Sequence, residues 1–148
     1  MKIHLGVIDI PYASVAPVKD GKPAPAQMTT FGVATILEKK YNLFSSFAAL
    51  HTQDIAEAVS IGLAETLEAL MMGAPASIDP FGAAMSDTEQ MFRTFLVNEE
   101  IKEVGQDGVP TKAALDGVNH RMKLRRGPRR PSFIDTGLLE TSFKAWVK

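Results

Sequence analysis

The sequence predicts an α+β fold, a helical bundle packed on a small sheet formed by the N-terminal and C-terminal strands. Three observations lead there. Residues 2–10 and Phe143–Val147 are rich in the β-branched, apolar and aromatic side chains that strands favour. Between them, residues 30–104 repeat apolar side chains at three- and four-residue spacing, the period of an amphipathic helix. The composition, 45% hydrophobic and 22% charged over 148 residues, is that of an ordinary soluble domain. That length fits one domain with a core of its own, so residues 1–148 are expected to fold as a single unit.

Taken in order, the first strand covers residues 2–10. A Pro/Ala-rich loop, 11–28, follows, with Pro11, Pro17, Pro23 and Pro25 setting it apart from any core element. Thr30 is the expected cap of a first helix, Phe31–Lys40, with Val33, Ile36 and Leu37 inward. A short apolar segment, Leu43–Leu50, precedes the clearest helix, capped by Thr52 with Asp54 and Glu57 in its first turn. Ile55, Val59, Leu63, Leu67 and Leu70 fall on one face of it, and Gly73 and Pro75 end it. Asp79-Pro80 opens a helical turn. Ser86 and Glu89 have the spacing of a capping box ahead of a helix with Met91, Phe92, Phe95 and Leu96, running to Asn98 or on to Val104. Gly105 and Gly108 break the chain. The segment 110–148 then holds a helix capped by Thr111, a basic linker, and a C-terminal turn and strand.

Several function classes are excluded or unsupported. The absence of cysteine removes disulfides, thiolate metal sites and cysteine nucleophiles. His4, His51 and His120 lie far apart, and His51-x-x-Asp54 reads as helix-start chemistry, so no metal or other cofactor is expected. No glycine-rich phosphate cradle is present. The first ten residues are interrupted by Asp9 and followed by Pro11, too soon for a secretory signal, and no apolar stretch is long enough to span a bilayer.

Charge is unevenly spread. Residues 1–106 carry 7 basic and 13 acidic side chains, whereas residues 107–148 carry 9 and 4. Six of the basic residues, Arg121, Lys123, Arg125, Arg126, Arg129 and Arg130, crowd into positions 121–130. Arginine forks bind phosphate and carboxylate alike. The run is thus an arm for a protein partner, a nucleic-acid contact, or a solvated linker; no interleaved aromatic residue favours base stacking. Trp146, the only tryptophan, is either a core anchor or an interface residue.

Phe133-Ile134-Asp135-Thr136-Gly137 has the form in which aspartic proteases present a catalytic carboxylate. Only 11 residues follow Gly137, too few for the strands that hold such a dyad, so no catalytic residue is assigned. The plainer reading is a turn in which Asp135 bonds its own backbone and Gly137 takes positive φ.

The wider stretch from Arg129 to Phe143 resembles a pattern in small neck and tail-completion proteins of tailed bacteriophages. There a basic residue and a proline precede two apolar residues, then Asp-Thr-Gly, a leucine two positions on and a serine three after that. Pro131, Phe133, Ile134, Asp135, Thr136, Gly137, Leu139 and Ser142 fill those positions. The resemblance implies a virion structural protein, assembled in the host cytoplasm, that joins other head–tail or tail proteins as a homo-oligomeric ring without catalysis. The alternative expectation is a nucleic-acid-binding protein acting through residues 121–130, and incidental DNA contact fits either.

Overall fold

A computed structural model describes residues 2–12, 28–75, 79–118 and 126–148. Its elements run β1 (Ile3–Val7), α1 (Thr30–Tyr41), α2 (Leu43–Met71), α3 (Gly82–Asn98), a 3₁₀ turn (Glu100–Val104), α4 (Lys112–Leu115), α5 (Leu138–Ser142) and β2 (Phe143–Val147). The fold is α+β as expected: β1 and β2 pair antiparallel, Ile3 opposite Val147 and Val7 opposite Phe143. Ile3, Leu5 and Val7 share a face with Phe143 and Ala145, and this face meets the helices.

The core is aromatic. Phe47, Phe92, Phe95 and Phe143 are fully buried with Leu43, Leu96 and Ile101. Phe92 stacks on Phe143 at 4.0 Å between centroids, and Phe47 meets both edge-on. These offset and T-shaped arrangements suit the ring quadrupole. β2 is further tied to α3 by Glu89, whose carboxylate takes a hydrogen bond from Lys144 Nζ at 2.7 Å.

Local chemistry explains where the helices begin, and it corrects the expected caps. Thr29, not Thr30, caps α1 and accepts from the Gly32 amide. Thr30 is instead buried: its hydroxyl accepts from the Ile10 amide and donates to the Ile8 carbonyl, binding α1 to the strand's end. Asn42 takes left-handed φ, 49°, and lets α2 start at once. Glu38 then supplies the cap, accepting from the amides of Phe44 and Ser45 and from the Ser45 hydroxyl. Hence the apolar segment Leu43–Leu50 and the helix expected after it are one helix. Thr52 lies inside it and gives its hydroxyl to the Ala48 carbonyl. Likewise Ser86 and Glu89 are interior to α3, which starts where Asp79 accepts from the Phe81 amide. The Pro/Ala-rich stretch 13–27 lies outside the described residues, but its flanks are joined: the Tyr12 amide donates to the Met28 carbonyl and the Thr30 amide to the Ile10 carbonyl.

Helix lengths decide which apolar faces are covered. With 29 residues α2 is about 43 Å long, and with 17 residues α3 is about 25 Å. Ile55 and Val59 are buried against the body, and Gly62 abuts the Pro80 carbonyl. Beyond that point nothing described covers the helix. Leu63, Leu67 and Leu70 were expected to face inward and are exposed, as are Met71 and Met72; Ile36 of α1 is exposed too. The helix closes as expected, with Gly73 at φ 83° and its amide on the Leu70 carbonyl. Leu63 is 38% exposed, so Leu63→Ala is expected to change unfolding free energy by under about 1 kcal/mol in denaturant titration, not by the roughly 2–5 kcal/mol of a core leucine.

Candidate functional site

The C-terminal third is built around a residue that the sequence did not single out. Glu99 follows the last turn of α3 with left-handed φ, 54°, which turns its side chain back into the protein, where it is 7% exposed. One carboxylate oxygen accepts from the Ser132 amide at 2.9 Å and the Ser132 hydroxyl at 2.7 Å. The other accepts from Arg129 at 2.7 Å and from Lys102. Burial works against the charged form, and it is outweighed by the Lys102 ammonium, the hydroxyl and amide of Ser132, and the Arg129 guanidinium. Together these hold the carboxyl at about 2, below its usual 4.5. Ser132 Oγ also accepts from the Thr111 amide at 3.0 Å, so α3, the approach to α4 and the linker meet at one carboxylate.

This arrangement sorts the basic run. Arg121, Lys123 and Arg125 lie outside the described residues. Arg126 is exposed. Arg129 reaches Glu99 while its side chain stays 56% exposed. Arg130 turns inward: it donates to the carbonyls of Ile134 and Val118, and it lies 4.0 Å from Asp135. Thus two of the six residues expected to meet a partner hold the chain's own backbone and carboxylates together.

The turn has the expected form at Gly137, with φ 76°, where it caps α5 and accepts from the Thr141 amide. Thr136 is exposed, and Asp135 is half-buried beside Arg130. Phe133 was not expected to be special, yet it too has positive φ, 70°, and lays its ring against Tyr41 at 4.9 Å. The adjoining crevice holds about 50 Å³, space for a water or two rather than a peptide.

Gly117 is a second position without an advance signal. Its φ is 63°, and a Cβ there would meet the Gly127 carbonyl oxygen at 2.2 Å. Gly117→Ala is therefore expected to destabilise by about 2–4 kcal/mol, from overpacking against backbone plus left-handed strain, and a thermal melt within 2 °C of wild type, about 1 kcal/mol at this size, would contradict it.

Trp146 is not a core anchor. It lies on the outer face of the sheet, stacked on His4 at 5.6 Å and over Gly6, and is 46% exposed. It borders an apolar groove of about 600 Å³ between β1 and α1, with Phe31 and Phe44. His51 is held by its ring nitrogens between Asp54 at 3.0 Å and Glu100 at 2.9 Å. Among the described residues no cluster could hold a metal ion, and no helix is long and apolar enough to cross a membrane.

No family model, curated protein or solved structure matches this chain.

The middle of the chain is acidic. From residue 41 to residue 92 the chain has seven carboxylates and not one lysine or arginine. Four of them, Asp54, Glu57, Glu65 and Asp87, border a groove of about 570 Å³ between α2 and α3, with Ala58 and Ala84 at its floor and Ile61 half-exposed at its edge. The overhanging end of α2 carries Glu68 and the exposed Leu63–Leu67–Leu70 stripe. Glu99 and the linker sit past the C-terminal end of α3, while Ala84 and Asp87 lie in its first two turns, roughly 20 Å away along the axis.

Proposed function

We propose that the chain is a structural protein of tailed-phage virions, a subunit of a homo-oligomeric ring in the neck or tail-completion region. The observation that carries this reading is the charge polarity of the chain. An acidic stretch with an apolar-striped helix end and a basic run, residues 121–130, occur in one chain, and the last residues of that run are clasped at Glu99. Rings are built from head-to-tail contacts between unlike surfaces, and this chain carries segments of opposite charge that suit such contacts. The motif from Pro131 to Ser142, on which the resemblance to neck and tail-completion proteins rests, lies in the Glu99-clasped segment. Asp135 is read as a turn residue beside Arg130, and no catalysis is part of the proposal. The nucleic-acid alternative loses support because Arg129 and Arg130 bond within the chain.

The test is composition and mass. Purified particles from cells producing this chain are expected to contain it at one ring's worth of copies each, a fixed number of up to a few tens. Its absence from particles overturns the reading. A DNA-binding protein would instead bind duplex with affinity falling steeply in salt, with a log–log slope of about −0.9 per phosphate contacted. Replacing all four of Arg125, Arg126, Arg129 and Arg130 by alanine does not separate these readings cleanly. Losing the Arg129 and Arg130 bonds would itself destabilise the fold. The clean variant changes Arg125 and Arg126 only.

A further inference from the structure

From the same surfaces we infer that the groove between α2 and α3 is the seat for the basic segment around Arg126 of a second copy of this chain. The inference rests on the assembly reading above and names its contact. The groove has an apolar floor, Ala58 and Ala84, an exposed apolar edge at Ile61, and a rim of four carboxylates, Asp54, Glu57, Glu65 and Asp87. Among the described residues no lysine or arginine lines it, so its charge is not neutralised from within. The complementary surface is on the same polypeptide. Positions 121–130 hold six basic residues, and Met122 and Leu124 interleave apolar side chains that suit the floor. Glu65 and Asp87 border the part of the groove farther from Glu99, where Arg129 is fastened, and Asp87 is roughly 18 Å from Glu99 along α3. A contact of this groove with the basic segment of another copy joins unlike surfaces, the kind that propagates and closes into a ring. Single exposed ion pairs contribute little, so recognition needs several of them around an apolar floor, which this groove provides.

Sedimentation of the full-length chain tests this through a charge exchange. One variant carries Glu57→Lys, Glu65→Lys and Asp87→Lys; Asp54 is left in place because it bonds His51. The other carries Arg125→Glu and Arg126→Glu, leaving Arg129 and Arg130 to their internal partners. Wild type is expected to self-associate, more weakly as salt rises. Each variant alone should associate at least about tenfold more weakly. An equimolar mixture of the two should recover wild-type association, since each now complements the other at every contact. The neutral set Glu57→Gln, Glu65→Gln and Asp87→Gln should weaken association less than the lysine set, and it answers the same question if the lysine set fails to fold. Association that survives both charge reversals, or a mixture that does not recover, overturns the groove contact. A wild type that stays monomeric to millimolar concentration overturns it too. Presence or absence in particles is scored separately, so the failure of the contact and the failure of the ring reading are distinguishable.

Discussion

Replacing Glu99 by alanine is expected to cost about 3–5 kcal/mol of folding stability, the range for breaking a buried, hydrogen-bonded charge cluster from one side. The loss comes from what is left behind. The Ser132 amide and hydroxyl lose their acceptor in a buried place, and Lys102 and Arg129 keep like charges close together. Glu99→Gln should cost less, about 1–3 kcal/mol, because one oxygen still serves Ser132. The pH dependence follows from the lowered ionisation, about 2 in the folded chain against an ordinary 4.5. A depressed carboxyl stabilises the fold fully above its unfolded value and loses that contribution as pH falls through its folded value. Between about pH 4.5 and 2 the unfolded chain binds the extra proton, so wild type should lose stability there faster than Glu99→Gln does. Parallel curves for the two proteins in urea titrations across that window would show that Glu99 is not held as described.

A second large effect is expected in the aromatic core. Phe92→Ala should destabilise by about 3–5 kcal/mol, since the ring is fully buried and contacts Phe44, Phe47, Phe95 and Phe143. Melting should fall by about 10–15 °C for a domain of this size. The neighbouring Phe44 is only partly buried, and Phe44→Ala should cost visibly less. Equal losses at the two positions would mean that the core is centred elsewhere.

The sequence made some of this legible and hid the rest for identifiable reasons. Strand β2 begins and ends where its aromatic and β-branched residues do, and among the described residues it pairs with the N-terminal strand as expected. Thr52 misled because a threonine that caps one helix will bond the preceding turn inside another, and the Ser86–Glu89 pair because Glu89 reaches across to Lys144 instead. The true starts were set by acidic side chains at other offsets, Glu38 for α2 and Asp79 for α3. The Leu63–Leu70 stripe has the spacing of a buried face, and only the shorter reach of α3 leaves it open. Glu99 was invisible because its partners Arg129 and Ser132 are 30 and 33 positions away. At the turn the glycine announced its own backbone, whereas Phe133 adopts positive φ under tertiary constraint that no local rule contains.

The pairing of β1 with β2 also sets a timetable. Residues 3–7 leave the ribosome long before residues 143–147 and must wait for them before the sheet can form. Until then Phe92 and Phe47 lack Phe143, and the nascent helices hold an aromatic cluster open on one side. This most distant of contacts carries the greatest loop-closure cost, so it closes late in folding as well as in synthesis. A half-made polypeptide would thus have its acidic groove before it had a finished core or a basic segment to offer. If the chain assembles as proposed, growth into an assembly would wait until translation has passed β2.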